Sequence, residues 1–579
     1  MIHKKCFISE ERWVFLSTIL LFFFFILVHG FYFERYIVFF ESLFSGSISG
    51  IPLDDFETLA FVGLDIVLAK IYKLFPDIAW FDYSHIALSI LTALLYLRAI
   101  AQLTIKRGMG FALGLVISLC ATALVYFNLV SANFSREVIL FSILMLFAFW
   151  GWNRLKPLYH YLLVFCAFCI VILTRVEFGF LAAILFGGFV LTQWRYLFAQ
   201  WRWLVAPLAF FVLIGSYLYY DRNYTNDFAK ESDFSQYLIS DASYVETFRH
   251  FEDPKDSLRY LAAKELWLSD TASLKIEFFR SLQQYKISFS LAYFKKLFPF
   301  YFSKATSMLG SFLNDDLPFL ILPILLWLYF IVESWIVIGN LKERWAVLTL
   351  PLLWVIFLLF VLCYLVRMET TVLHPFLLIA TLFLLAVHNS PAPLNKLNIS
   401  RFLKGLLFIT LLLHFVWTNI HLNTFSRQKA KIIVFNQNTA KEADSLANGK
   451  YLMLDGYSNL ILDHKPGKNF VFKKPKAVLL YDCGQLILGK HFLEYHRKVC
   501  DCNPLDNVSF YSFLLAHKDE LLILSNPQRN DFIKAYLHGM HQLDIDFVKL
   551  EGDFHAEKLI DIGLDIHYYT IRNSPTAAK

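Results

Sequence analysis

Long apolar runs separated by short polar turns dominate most of the chain. The first run, from Trp13 to about His29, follows Lys4, Lys5 and Arg12. It is longer than the core of a secretion signal and lacks a small-residue cleavage site, so we predict a retained transmembrane helix. Ten further runs lie at about 84–104, 110–130, 138–152, 159–173, 178–194, 204–220, 317–337, 345–366, 375–388 and 405–421. The pattern predicts a mainly α-helical polytopic membrane bundle of about eleven spans with juxtamembrane helices.

The pattern changes beyond about residue 425. Short apolar runs typical of buried strands alternate there with a helical segment at 528–541, which Ser525-Asn526-Pro527 opens. The predicted strands are 451–455, 477–481, 520–524 and 544–550. This order predicts a small α/β domain, although the region contains no dinucleotide-binding, P-loop or serine-hydrolase motif. We therefore predict two domains, a membrane module at 1–424 and an α/β domain at 425–579.

Composition supports membrane embedding. The chain of 579 residues is 57% hydrophobic and 17% charged, whereas soluble domains are typically about 45–50% apolar and about 25% charged. This composition strongly disfavours an ordinary soluble enzyme. The net charge of +6 is modest and falls mainly in short turns, so we predict membrane lipids and no nucleic acid among the partners.

Lysine and arginine positions predict the orientation, because positive residues accumulate in cytoplasmic turns. With the N-terminus inside, the inner turns hold Lys106, Arg107, Arg154, Lys156, Arg195, Arg202, Lys342, Arg344, Lys396, Arg401 and Lys404. The short outer turns hold only Arg136, Arg175 and Arg367. Two larger outer loops, about 31–83 and 221–316, and the α/β domain then lie outside the cytoplasm. We expect any activity on that side.

The first outer loop contains adjacent carboxylates, Asp54 and Asp55, before an amphipathic stretch that runs to Leu74. Asp54 with Glu57 has the spacing of a helix capping box. Because one aspartate is enough for a cap, the pair also remains available as a general base or a metal ligand. Asp315 and Asp316 before the span at 317–337 have the same two interpretations, a helix cap or added acidity at this site.

Three other outer turns repeat an arginine and a glutamate within apolar sequence. The residues are Arg136 with Glu137, Arg175 with Glu177, and Arg367 with Glu369, followed by His374. Ionisable groups near a bilayer are usually paired or functional. Each turn is therefore either an ion pair that holds the turn or an arginine that binds phosphate, since the guanidinium matches phosphate oxygens. The arginines lie at the predicted depth of Asp54 and Asp55.

This layout resembles the GT-C class of membrane glycosyltransferases. The resemblance rests on the inside N-terminus, the acidic first outer loop, many spans with short turns and an outer C-terminal domain. The stretch from Leu68 to Tyr83 and the turn Thr174-Arg175-Val176-Glu177 look like segments of bacterial members. The resemblance implies a bacterial inner-membrane enzyme that transfers a sugar from a polyprenyl-phosphate or polyprenyl-diphosphate carrier to a glycan, lipid or protein acceptor. A divalent metal is the one cofactor that the acidic loop leaves open.

The resemblance also implies roles for individual residues. It gives Asp54 and Asp55 the catalytic role, while the geometry of the guanidinium group predicts carrier-phosphate binding by Arg136, Arg175 and Arg367. Supporting positions are Glu57, Glu137, Glu177, Glu369 and His374.

Three other functions stay open at this stage. A polysaccharide polymerase or ligase would use the same donor but would place its site in a basic loop such as that of Arg249 and His250. A transporter of lipid-linked glycan would place polar groups near mid-bilayer. An assembly or sensory protein would leave the Arg–Glu turns as structure alone.

Overall fold

The chain is described by a computed structural model over residues 2–33, 70–75, 78–106, 108–132, 139–144, 253–264, 317–337, 370–387, 397–454, 472–480, 497–501, 506–557 and 565–574, with isolated positions 212, 216, 278 and 310. This part is mostly helical and ends in a small sheet. Four of its helices are long and apolar enough to cross a membrane, at Glu10–His29, Trp80–Ile105, Phe111–Leu129 and Arg401–Leu446. The prediction of a mostly helical chain with apolar helices long enough to cross a membrane and a C-terminal sheet region is confirmed. The number of about eleven spans stays a prediction.

The described helices follow the predicted apolar runs. They are α1 Ile2–His29, α2 Trp80–Lys106, α3 Phe111–Val130, α4 Pro254–Lys264, α5 Leu317–Val337, α6 Thr370–Val387, α7 Leu397–Leu446, α8 Asn507–Ala516 and α9 Pro527–His541. The described strands are β1 Tyr32–Phe33, β2 Ser131–Ala132, β3 Tyr451–Leu454, β4 Ala477–Leu480, β5 Leu521–Ser525, β6 Ile545–Lys549 and β7 His567–Asn573. The apolar runs at 84–104, 110–130, 317–337 and 375–388 each fall within one helix or within a residue or so of its ends. The runs at 159–173, 178–194 and 345–366 lie outside the described residues.

Contacts divide the chain into two compact units. Unit 1 draws on Met1–Tyr32, Ser84–Tyr219 and Lys295–Arg427, and unit 2 on Phe33–Tyr83, Tyr220–Phe294 and Gln428–Lys579. The predicted division at 424–425 falls inside α7, which continues as one helix from Leu397 to Leu446. The two-domain division therefore stays a prediction, and its boundary lies within a continuous helix.

Helix α3 is the centre of unit 1, where most of its span is buried. It packs against α1, α5 and α6. Its hydroxyl and thiol groups bond to neighbouring backbone: Tyr126 donates to the carbonyl of Gly30, and the Cys120 thiol lies 3.2 Å from the carbonyl of Leu411. Such bonds are favourable in an apolar bundle, which offers no water as an alternative partner.

Contacts also establish the relative directions of the helices in unit 1. At one end, which we call the aromatic end, the rings of Phe31 and Tyr126 meet, and Phe127 contacts Phe319 and Phe425. Phe31, Tyr126, Phe127 and Phe425 lie near the C-terminal ends of α1, α3 and the membrane part of α7. Phe319 lies near the N-terminal end of α5. At the opposite, basic end, Val14 of α1 packs with Ile105 of α2, and Lys404 donates to the carbonyl of Gly108. The directions in which these helices run between the two ends agree with those of the predicted spans. Which end faces the cytoplasm stays a prediction.

The surfaces of α1 and α7 show why these helices suit a membrane. Large apolar side chains stay exposed on both, with Leu27 at 85% and Phe402 at 72% of their full exposure. Trp13, Leu20, Leu413 and Ile420 are exposed as well. An exposed apolar face of this kind is unfavourable in water and favourable against lipid chains.

Unit 2 contains a five-stranded mixed sheet with the order β4-β3-β5-β7-β6. Strands β4, β3 and β5 are parallel, and β7 runs antiparallel to both β5 and β6. One face packs on α8 and α9 through a core that includes Ile523, Tyr511 and Tyr536. On the other face the Tyr568 hydroxyl donates to the carbonyl of Thr439 in the polar part of α7. The sheet is thus covered by helices on both sides, as the predicted α/β order requires.

Helix α4 also belongs to this core. Its Tyr260 and Ala262 are buried in the same cluster as the residues of α8 and α9, and Leu258 packs against it. A side chain built at Gly539 of α9 would lie 2.6 Å from the Leu258 side chain, so the two helices approach closely at a glycine. A segment of the predicted second outer loop is therefore an integral part of the unit that contains the sheet.

Candidate functional site

The predicted site residues fall mostly outside the described part of the chain. This holds for Asp54, Asp55, Glu57, Arg136, Glu137, Arg175, Glu177, Arg367 and Glu369, and also for Asp315, Asp316, Arg249 and His250. Their proposed roles stay predictions. His374 is the predicted site residue that the structure describes.

His374 lies inside helix α6 and is 4% exposed. The sequence pattern had placed it in the turn before that helix. Its imidazole ring stacks on Phe319 with ring centres 3.9 Å apart and planes 8° from parallel. The neighbouring Pro375 has no amide hydrogen, so the carbonyl of Thr371 receives no helix hydrogen bond from it. The ring is therefore held in one orientation at a locally irregular start of α6.

Aromatic rings of α3 and α5 contact this imidazole, and a ring of α7 contacts the first of them. Phe127 of α3 lies 6.3 Å from His374, 5.2 Å from Phe319 and 5.7 Å from the His421 ring of α7. Edge and stacked ring contacts of this kind fix side-chain orientation as well as burying apolar area. His374 consequently occupies a rigid aromatic setting at the aromatic end of unit 1, where the sequence pattern also places the outer turns.

A buried polar face on α2 was missed by the sequence interpretation. Asp82, His85, Ser89 and Thr92 have the spacing of one helix face, and all four are at most 2% exposed. Asp82 lies in the first turn, where a carboxylate is also favourable next to the positive end of the helix dipole. Ionisable residues buried in membrane helices face the bundle interior and commonly mark functional paths. The signal is present in the sequence as polar residues at this spacing.

The start of α2 is joined to the helix end that precedes it. Residues Lys70–Leu74 are helical, and the helix stops at Leu74, as the sequence pattern predicts. The amide of Phe81 donates to the Tyr72 hydroxyl at 2.9 Å, and the indole of Trp80 donates to the carbonyl of Phe75 at 3.1 Å. Two hydrogen bonds therefore fix the connection that carries Asp82 into the helix.

Charged groups on the sheet of unit 2 form a separate, partly exposed network. Lys549 lies 2.8 Å from Glu557, and the ring of His567 contacts both Glu557 and Asp565. The hydrogen bond from Lys549 lowers the pKa of Glu557, and the bond from Lys534 lowers the pKa of Asp546 in the same way. No group of three histidine, cysteine, aspartate or glutamate side chains in the described part of the chain has the arrangement of a metal site.

Comparisons of the chain with protein-family models, with curated proteins and with solved structures found no match.

Proposed function

We propose that the protein is a membrane glycosyltransferase of the GT-C type that takes a sugar from a polyprenyl-phosphate or polyprenyl-diphosphate carrier at the extracytoplasmic face. The observation that carries the proposal is the coincidence of acidic and phosphate-binding residues at one predicted membrane level. Asp54 and Asp55 supply acids there, and Arg136, Arg175 and Arg367 supply guanidinium groups. The buried Asp82 and His85 of α2 add support, because they introduce ionisable groups into the described bundle.

The chemistry that we propose is direct displacement at the sugar. Asp54 or Asp55 takes the proton of an acceptor hydroxyl, whose oxygen bonds to the anomeric carbon as the bond from that carbon to the carrier phosphate breaks. The arginines stabilise the negative charge that the leaving phosphate acquires. The anomeric configuration inverts. Asp82 and His85 lie on a helix rather than in the acidic loop, and we propose that they orient the acceptor or the base.

The first experiment identifies bound lipids. We expect native mass spectrometry of the gently purified protein to show a polyprenyl phosphate or its sugar conjugate, lost in the double variant Arg175→Ala/Arg367→Ala. The matched control is Arg195→Ala/Arg202→Ala, which removes two arginines from a predicted inner turn. Bulk phospholipids alone, in equal amounts in all three proteins, would contradict the proposal and favour a transporter or scaffold.

The same preparations then test turnover with the lipid that is found. We expect Asp54→Asn or Asp55→Asn to lower transfer about 100-fold or more while the carrier stays bound, since a lost general base has that effect. His250→Ala with Arg249→Ala serves as the control, because a polymerase or ligase would lose activity there instead. Unchanged turnover in both aspartate variants would exclude the acidic loop as the site.

A further inference from the structure

One side of α7 presents a continuous exposed stripe along the membrane part of the helix. At about 3.6 residues per turn, the positions on this stripe lie within about 40° of one line parallel to the helix axis. Its apolar members are each more than half exposed, and they are Phe402, Leu406, Ile409, Leu413, Val416 and Ile420. The opposite side of the helix is buried at Leu411, Thr418 and Leu422. The helix therefore keeps this side open to its surroundings.

The same stripe becomes basic beyond its apolar part. Arg427 and Lys431 follow Ile420 along the same line, and both are exposed. Thr424, which lies between them and Ile420, donates its hydroxyl to the carbonyl of Ile420. Within the described residues, neither Arg427 nor Lys431 forms an ion pair. Two unopposed positive charges therefore lie at the end of an exposed apolar surface.

The spacing along α7 matches these charges to the depth of lipid headgroups. Phe402 and Ile420 lie about 27 Å apart along the helix axis, since a helix rises about 1.5 Å per residue. This length is close to the hydrocarbon thickness of a bilayer, about 30 Å, and a headgroup layer of about 5–8 Å follows on each side. Arg427 lies about 10 Å beyond Ile420. Because long basic side chains near helix ends extend toward the interface, its guanidinium can reach headgroup phosphates.

We propose that this end of α7 binds the headgroup of an anionic phospholipid, whose acyl chains lie along the apolar stripe. The Arg427 guanidinium donates hydrogen bonds to phosphate oxygens, because its planar fork matches them. Lys431, one turn further from the apolar part, adds positive potential at the surface. A zwitterionic headgroup carries its own ammonium group, which competes for the phosphate, so the two basic residues favour a net negative headgroup. The proposal concerns lipid contact alone and does not depend on glycosyl transfer.

Trp417 provides a probe, because it lies one turn before Ile420 on the flank of the stripe and is partly exposed. The full chain is placed in vesicles of equal amounts of phosphatidylglycerol and phosphatidylcholine, and one lipid at a time carries bromine on its acyl chains. The chain has 13 tryptophans, so the share of Trp417 is the part of the quenching that is lost in Trp417→Phe. We expect brominated phosphatidylglycerol to quench Trp417 more strongly than brominated phosphatidylcholine. The excess should shrink at about 1 M salt, which screens exposed charges.

Variants then locate the contact. Arg427→Gln/Lys431→Gln should reduce the preference for phosphatidylglycerol about fivefold for each charge removed. The matched control is Lys473→Gln/Lys474→Gln, which removes two exposed lysines of unit 2 and should keep the preference. Since the comparison of the two lipids keeps Arg427 and Lys431, the proposal stays testable even if their double variant misfolds.

Three results would overturn the proposal. The first is equal quenching by the two brominated lipids, and the second is a preference that survives in Arg427→Gln/Lys431→Gln. The third is an absence of quenching by either lipid, which would show that protein covers the stripe. If equal quenching by both lipids is relieved by added polyprenyl phosphate, the stripe binds the carrier instead. Loss of glycosyl transfer with the phosphatidylglycerol preference intact would count only against the enzyme proposal.

Discussion

At the scale of single residues, partners and burial decide what each ionisable group can do. His374 and Asp82 both carry polar groups into a membrane bundle, but their settings differ. His374 is held flat against Phe319 among aromatic rings, while Asp82 begins a helix face that continues as His85 and Ser89. The first setting fixes orientation, and the second provides a continuous polar surface. Of the two, the polar face of α2 is the better place to look for further functional residues.

The sequence predicted such residues only where they stood out from their neighbours. The Arg–Glu turns stand out because apolar residues surround them. Asn530 does not stand out, since an asparagine in the first turns of a helix is ordinary, and its contact with the Ser525 hydroxyl appears only in the fold. The Ser525-Asn526-Pro527 segment was correctly read as a helix start, and Asn526 caps α9. Burial of the next residues depends on the sheet and could not be inferred locally.

The Lys549–Glu557 pair makes a residue-scale prediction about pH. The pKa of Glu557 is lower in the folded protein than in the unfolded chain. Glu557 therefore stabilises the fold at pH values above its pKa in the unfolded chain, and this stabilisation is lost as the pH falls through its pKa in the folded protein. Lys549→Met should therefore reduce stability at neutral pH slightly and flatten the fall in stability at acid pH, below about pH 4.5. Thermal unfolding of the full chain from about pH 3 to about pH 7, followed by near-UV circular dichroism, measures this, because that range includes the ordinary carboxyl pKa values of about 4.

The control for this prediction is Lys518→Met, which removes an exposed lysine of the same unit. Its acid profile should match that of the unchanged protein. Identical profiles for Lys549→Met and Lys518→Met would show that the pair contributes nothing measurable, which is common for exposed ion pairs.

At the scale of elements, hydropathy predicts the apolar helices more accurately than the part of α7 that extends beyond the apolar sequence. The run at 317–337 matches α5 because polar residues end it sharply on the N-terminal side. The run at 405–421 is only the apolar part of α7, which continues to Leu446. The extension contains alanine, lysine, glutamine and glutamate, which favour helices but carry no hydropathy signal. The positions of β3, β4, β5 and β6 were predicted to within a residue, because each of these strands is a short apolar run between polar residues, whereas β7 was not predicted.

Two glycines in unit 1 give an element-scale prediction about helix packing. A side chain at buried Gly114 of α3 would lie 3.3 Å from Ile105 of α2, whereas one at Gly405 of α7 would meet nothing within 4 Å. Gly114→Leu should destabilise the fold by about 1–3 kcal/mol through overpacking. Gly405→Leu should be neutral or slightly stabilising, because leucine favours helices more than glycine does. Denaturant unfolding in detergent compares them, and equal loss in both variants would contradict the close α2–α3 contact.

At the scale of the whole molecule, the core of unit 2 is assembled from distant parts of the sequence. Leu258, Tyr260 and Ala262 lie far from α8, α9 and the sheet along the chain but pack with them. The sequence pattern predicts that this loop is helical but not what the helix packs against. An amphipathic helix has an apolar stripe, and the stripe alone does not specify its packing partner. Long-range packing of this kind is the part of the fold that the sequence alone did not reveal.

This packing makes a prediction about fragments. A fragment of residues 428–579 should unfold at a lower temperature than the same fragment joined by a flexible linker to residues 253–278. The shorter fragment exposes the apolar surface that Leu258 and Tyr260 cover, whereas the longer one restores it. Differential scanning calorimetry compares the two. In a control, Leu258→Asp in the longer fragment should remove the gain, and equal unfolding temperatures for all three would show that α4 adds no stability.

The strand order of unit 2 also affects the sequence of events during synthesis. Strand β7 follows β6 in the chain but lies between β5 and β6, and it is the described neighbour of β6. A chain emerging from the ribosome therefore presents β6 before its pairing partner exists, and the open side of β5 stays uncovered for as long. An uncovered strand edge can pair with another chain. Nascent forms that stop before His567 would for this reason be the ones most exposed to aggregation and to quality-control proteases.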